Sequence, residues 1–165
     1  MKIFWTLVLV MVWGTTFSQA TSDVATLDST IETLYAVISG EPGSTRDWPR
    51  FKNLFAAEAR LIPTRKDAAG NLTCQALTPD EYVKLFSARI ATGFYERELS
   101  RTVEEYGTVI HVFSTYETKE QKAGPVTNRG INSIQLFKDK DRYYILSIFW
   151  CAESMGFTLP EKYLR

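Results

Sequence analysis

The chain has 165 residues, 45% of them apolar and 23% charged, with 19 basic and 19 acidic side chains and one histidine. That length makes one globular domain, able to bury roughly two-thirds of its unfolded surface; the composition excludes a disordered, collagenous or coiled-coil chain, and two cysteines are too few for a disulfide scaffold. The even charge balance argues against nucleic acid as a partner, because phosphates demand a basic face.

Met1-Lys2 opens the chain with positive charge, and Ile3 to Trp13 is an eleven-residue apolar stretch. It fits the core of a secretory signal, about 7–15 residues, and is too short for a bilayer span of about 20. The small side chains of Ser18 and Ala20 place cleavage after Ala20. An amino-terminal core helix or an uncleaved anchor is the competing reading. With residues 1–20 as signal peptide, the mature domain is 21–165, near neutral because Lys2 alone is lost. It is expected to be exported, periplasmic or secreted, with no membrane attachment after cleavage. Export would permit a Cys74–Cys151 bridge, although two separate buried thiols fit the sequence as well. Asn71-Leu72-Thr73 matches a glycan acceptor, a pattern short enough to recur by chance.

Val24, Leu27, Ile31, Leu34, Tyr35 and Ile38 recur at helical spacing and predict a first helix with one apolar face, ended by Gly40 and Glu41-Pro42-Gly43-Ser44. Asp47 caps a second helix through Phe55, with Pro49 in its first turn. Residues 59–64 and 72–77 flank a turn at Asp67 to Asn71 and read as a small hairpin. Thr78-Pro79-Asp80-Glu81 is a capping box for a third helix striped by Tyr82, Leu85, Phe86 and Ile90 and closed by Gly93. From Phe94 the period changes to two, and strands are expected at about 94–105, 108–118, 129–137 and 142–151, antiparallel because their connections are short. A turn at Tyr106-Gly107 would set Thr102 opposite His111.

This order predicts an α+β fold in which a curved antiparallel sheet packs against about three helices to form a cone with an internal pocket. The chain resembles the nuclear transport factor 2-like superfamily, in its SnoaL-like branch. The resemblance rests on Asp47-Trp48 with Phe51 and Leu54-Phe55, on Gly107 to Glu117, on Arg129 to Leu136, on Tyr144 to Trp150 and on Leu159 to Leu164. It implies a pocket between sheet and helices that serves isomerases, cyclases, dehydratases and epoxide hydrolases, alongside members that only bind or dimerise. Neither the Tyr and two acids of its isomerases nor the Asp-Arg-Asp set of its epoxide hydrolases maps onto this chain, so the resemblance supplies a pocket and no reaction.

His111 is the candidate catalytic residue, since an imidazole suits proton transfer near neutrality and it lies mid-strand among Val109, Val112 and Phe113. A half-buried histidine bonded to a neighbour is the alternative. Asn132 and Ser133 interrupt an apolar strand and must point to opposite faces, one into the cone. Asn132 is the candidate ligand-binding amide, with a cross-strand hydrogen bond as its other use. Arg97 and Arg101 fall on one face and Glu96, Glu98 and Glu104 on the other. Arg101 would bind an anion if that face lines the pocket, or join a solvated ladder of charge pairs. Tyr116 and Trp150 would line an apolar cavity or simply fill the core.

One histidine and no paired cysteine spacing give no zinc or haem motif, leaving only a carboxylate site open. No Gly-x-Ser-x-Gly elbow and no glycine-rich phosphate loop are present, so no cofactor is expected. The expected function is binding of a small apolar organic molecule, with or without a cofactor-free lyase, isomerase or cyclase step in which His111 moves a proton and Asn132 polarises an oxygen. The alternative is a non-catalytic module of the same fold that forms a homodimer through the sheet or docks a partner. An enzyme needs an open cavity with a titratable side chain, whereas a scaffold can fill its cone.

Overall fold

The computed structural model describes residues 21–88 and 92–165; the expected leader and Ile90 lie outside them. Helix α1 (Leu27–Ile38) starts at Thr26, whose hydroxyl accepts from the Ser29 amide while the Ser29 hydroxyl accepts from the Thr26 amide. Ile31, Leu34, Tyr35 and Ile38 are buried along one side of it, as their spacing requires. Helix α2 (Trp48–Lys52) is capped by Asp47, which accepts from the Arg50 amide, and stops short of Phe55 because that residue opens a strand. Helix α3 (Pro79–Ser87) carries the Thr78–Glu81 box with both hydrogen bonds formed. Gly93 takes no left-handed turn there. It is a glycine because a Cβ would stand 2.1 Å from the Glu120 carbonyl oxygen.

The strands are β1 (Phe55–Lys66), β2 (Leu72–Cys74), β3 (Tyr95–Tyr106), β4 (Val109–Lys119), β5 (Asn128–Asp139) and β6 (Arg142–Ala152). They form one curved six-stranded sheet in the order β2-β1-β6-β5-β4-β3, with the helices on its concave side in an α+β cone. The early hairpin is not separate from the other four strands. β1 lies parallel to β6, pairing Leu61 with Ile148 and Pro63 with Trp150, and makes the sheet mixed. Short connections dictate antiparallel pairing only between sequential strands, and β1 and β6 are the first and last long ones. Burial of Ala59 and Leu61 beside Ile145 and Ile148 drives their union.

Two local features of β3 depart from the expected register. The turn to β4 pivots on Gly107-Thr108, so Tyr106 pairs with Val109 and Glu104, not Thr102, pairs with His111. Gly107 takes φ +61°, the positive value needed at the first central position of a two-residue hairpin turn. A shift of two residues leaves every side chain on its face. The second feature does not: Leu99 is an extra residue between the Glu98–Tyr116 and Ser100–Thr115 pairs. Such a bulge inverts the alternation. Arg101 therefore joins Glu96 and Glu98 on the concave face, while Arg97 and Glu104 occupy the convex one.

On the concave face Ile110, Val112, Ile134, Leu136 and Ile145 pack against α1 and α2 in the core. The convex face carries Val109, Phe113, Phe137 and Phe149, three of them exposed. After β6 the chain crosses that face, where the Ser100 hydroxyl donates to the Tyr163 carbonyl at 2.5 Å and the Phe113 and Tyr163 rings lie 5.2 Å apart. Cys74 is exposed and Cys151 half-buried, and both are free thiols. Among the described residues no helix is long and apolar enough to cross a membrane.

Candidate functional site

Between the concave face and the three helices lies a hollow of about 650 Å³. Leu34 and Ile38 of α1, Phe51 of α2 and Tyr82 and Phe86 of α3 line one side of it, and Tyr116, Asn132, Ile148 and Trp150 the other. The ring of Tyr82 stacks on Phe51 at 5.4 Å and on Phe86 at 5.5 Å, and meets Trp150 edge-on at 6.2 Å. No residue of α3 is fully buried even though its apolar stripe faces inward, because that stripe borders open space instead of packing against the sheet.

Small residues keep the floor low. Gly130 lies opposite Ala152 on β6 and Tyr116 on β4. A Cβ at Gly130 would stand 2.5 Å from both the Tyr116 Oη and the Cys151 carbonyl oxygen. Only glycine lets the tyrosine lie down across the strand with its hydroxyl in the hollow.

Among the polar side chains that line this chamber from the sheet are Glu96, Asn132 and Tyr116. Asn132 is held by a directed chain of hydrogen bonds. Its Nδ2 donates to the Tyr35 Oη at 3.0 Å, the Tyr35 and Ser114 hydroxyls are 2.7 Å apart, and Ser114 donates to Glu98 at 2.5 Å. Because Ser114 gives its proton to Glu98, Tyr35 donates to Ser114 and is free to accept from Asn132, so the dipoles align and reinforce one another. Tyr35, Ser114 and Asn132 are all buried, and each has a partner. The same amide also donates toward the Glu96 carboxylate.

Burial pushes the Glu96 carboxyl up to about 8, and the Asn132 hydrogen bond only partly opposes this. Glu96 is partly exposed and lines the hollow. At neutral pH it is a carboxylic acid and can donate a proton. Burial likewise raises the tyrosines Tyr35, Tyr82 and Tyr116, with the nearby Glu96 adding to the effect, so all three stay protonated donors. Burial also raises Glu98, against the Ser114 hydrogen bond and the Arg101 charge.

Of the residues singled out in the sequence, Asn132, Tyr116 and Trp150 meet in the hollow. His111 does not join them. It lies on the convex face, its Nε2 3.0 Å from the Ser133 Oγ and its Nδ1 3.9 Å from the exposed Glu104 carboxylate. Its strand position pairs it with Glu104 and Gln135, one residue out of phase with the concave Val112 and Ser114. Ser133 has a strand on each side, pairing with Phe113 and Phe149, so the neighbouring amides serve sheet ladders and do not form an oxyanion site. Arg101 shares the concave face but lies outside the hollow. Its guanidinium is held 2.9 Å from Asp28 of α1 and 3.3 Å from Glu98. The Leu99 bulge brings it there, and these two acids occupy it.

Sequence reasoning missed Glu96, which stands in a run of alternating charge that reads as a solvated ladder. The one signal was Leu99, an apolar residue breaking that run where the strand changes phase. Among the described residues no group of His, Cys, Asp and Glu is gathered in the manner of metal ligands.

No known family pattern matches the chain and no curated protein resembles it in sequence. Solved structures do share its fold. Aln2 from a Streptomyces species aligns with a TM-score of 0.59 at 14% identity, over 79% of this chain and 90% of that one. The beta subunit of a proposed aromatic-ring-hydroxylating dioxygenase from Novosphingobium aromaticivorans aligns at 0.57 and 10% identity, over 82% and 91%. The yeast UBP3-associated protein BRE5 aligns at 0.54 and 12% identity, over 76% and 92%. At such identities the likeness establishes the α+β cone and does not choose a chemistry.

Proposed function

We propose that this chain is an exported small-molecule-binding domain of the SnoaL-like kind, whose hollow binds a largely apolar organic molecule and supports a cofactor-free acid–base step on it. The observation that carries this reading is an open, aromatic-lined chamber containing a carboxyl group kept protonated at neutral pH beside a buried, fixed amide. A cone built only as a scaffold would fill that space. In the proposed step, a ligand carbonyl or hydroxyl sits between Glu96 and Asn132. The ligand oxygen takes the Asn132 N–H that otherwise points at Glu96 and the Tyr116 hydroxyl, and Glu96 delivers the proton as lyase, isomerase or cyclase chemistry requires. The role first given to His111 passes to Glu96.

A thermal-shift panel of neutral aryl ketones and fused-ring compounds tests this, since a ligand preferring the native state raises stability by mass action. At least one compound is expected to raise the melting temperature by a few degrees. Asn132→Leu removes that shift. Glu96→Gln retains it, because the amide still donates, but abolishes any turnover, and His111→Ala changes neither. A panel with no shift, or a shift untouched by Asn132→Leu, overturns the assignment.

A second reading concerns assembly. Val109, at 60% exposure, and Phe149, at 47%, stand on the convex sheet face, and apolar side chains so placed favour a homodimer through that face. Sedimentation is expected to give a dimer that Val109→Lys with Phe149→Lys converts to monomer while leaving the melting profile in place. A wild-type monomer at high concentration would remove this reading.

A further inference from the structure

The hollow is electrically asymmetric. Glu96 on β3, Tyr116 on β4 and Asn132 on β5 supply the donors of one part of it, and at the β1 end its lining includes Arg65 and Lys66. Arg65 shares the strand face of Leu61 and Pro63, which also line the hollow. The Lys66 ammonium lies where a Cβ on Gly156 would be only 3.8 Å away, so it sits over the turn that follows β6.

The acids on the flanking segments are already engaged. Glu153 accepts from Arg129 at 2.8 Å and from the Leu159 amide at 3.1 Å. Asp67 is closed into its own turn by Asn71 and Ala69, and Glu81 caps α3. Among the described residues neither Arg65 nor Lys66 has an ion-pair partner. Two uncompensated cations at the edge of an apolar chamber attract an anion, and a guanidinium is shaped for a carboxylate.

We propose, resting on the reading of the hollow as a ligand site, that its ligand is an aryl organic acid whose carboxylate lies at Arg65 and Lys66 and whose carbonyl or hydroxyl reaches Glu96 and Asn132. The sheet sets the length. β3 and β1 are four strand spacings apart in the order of the sheet, roughly 19 Å along the surface. Curvature and the inward reach of the side chains make the straight path between the two polar ends shorter than this arc. The faces of Tyr82, Phe51, Phe86 and Trp150 between them suit flat rings.

Acetylbiphenyl carboxylate, with acetyl and carboxylate at opposite ends of two rings, is a rigid probe with both polar ends separated by an apolar body. Its methyl ester removes the charge, and biphenyl carboxylate removes the ketone. Calorimetric titration of the intact protein at low salt is expected to show the keto acid binding about tenfold tighter than the ester. Arg65→Gln with Lys66→Gln should erase that gap without altering ester affinity, and biphenyl carboxylate should bind several-fold more weakly than the keto acid. Equal affinity for acid and ester overturns the anionic end while leaving the hollow a binding site. Equal affinity for the keto acid and biphenyl carboxylate overturns the placement of the oxygen at Glu96. Binding of none of the three overturns this proposal, and the neutral aryl ketone panel then decides separately whether the hollow binds anything.

Discussion

At pH 9 the Glu96→Gln variant is expected to be more stable than the wild-type protein by roughly 4–5 kcal/mol, and at pH 4 the two are expected to be nearly equal. Burial raises the Glu96 carboxyl to about 8 in the folded chain, whereas in the unfolded chain it titrates near its ordinary value, about 4.3. Below that value both states are protonated and the residue is neutral in the balance. Between the two values the unfolded chain releases a proton that the folded chain keeps, so stability falls as pH rises, and it levels off once the folded carboxyl has ionised. The full displacement corresponds to about 5 kcal/mol. Glutamine carries no such titration. Melting curves of both proteins from pH 4 to pH 9 check this, with an expected divergence of roughly 8–20 °C at the alkaline end. Parallel curves would mean that Glu96 ionises freely and cannot be the acid of this site.

The contrast between Glu96 and the residues that sequence did identify has a physical origin. Thr78-Pro79-Asp80-Glu81 and Asp47 were legible because a helix cap is decided within one turn of chain. The separation of Asn132 from Ser133 across the sheet was legible because adjacent strand residues must alternate. Glu96 and Arg101 were not, since their face depends on one extra residue at Leu99 in a strand so rich in charge that no apolar pattern fixes its phase. His111 misled for a related reason. Its neighbours Val112 and Phe113 belong to opposite faces, so an apolar neighbourhood in sequence said nothing about the side of the sheet. The union of β1 with β6 joins segments more than eighty residues apart, and only burial on the finished sheet selects it. Arg65 and Lys66, in turn, gain meaning from acids that other segments have already engaged.

Phe51→Ala and Leu54→Ala are each expected to lower stability by about 3–5 kcal/mol, yet only the first should be partly restored by a bulky aryl ligand. Phe51 is 1% exposed and Leu54 fully buried, so both lose transfer free energy and leave space behind. The spaces differ in connection. Phe51 packs on Trp48 at 5.8 Å, Phe55 at 4.8 Å and Tyr82 at 5.4 Å, and its inner edge is part of the wall of the hollow. Deleting its ring enlarges a chamber that a ligand already reaches. Leu54 lies behind that wall, where its carbonyl accepts from the Ile145 amide at 2.9 Å, and its removal opens a closed void. An apolar void of that kind is filled only by a molecule small enough to enter it. Saturating biphenyl should therefore raise the melting temperature of Phe51→Ala by more than that of the wild-type protein, and that of Leu54→Ala by no more than wild type. Equal gains in the two variants would show that the space behind Phe51 is not continuous with the hollow, and the stacked rings of Phe51 and Tyr82 would then belong to the core alone.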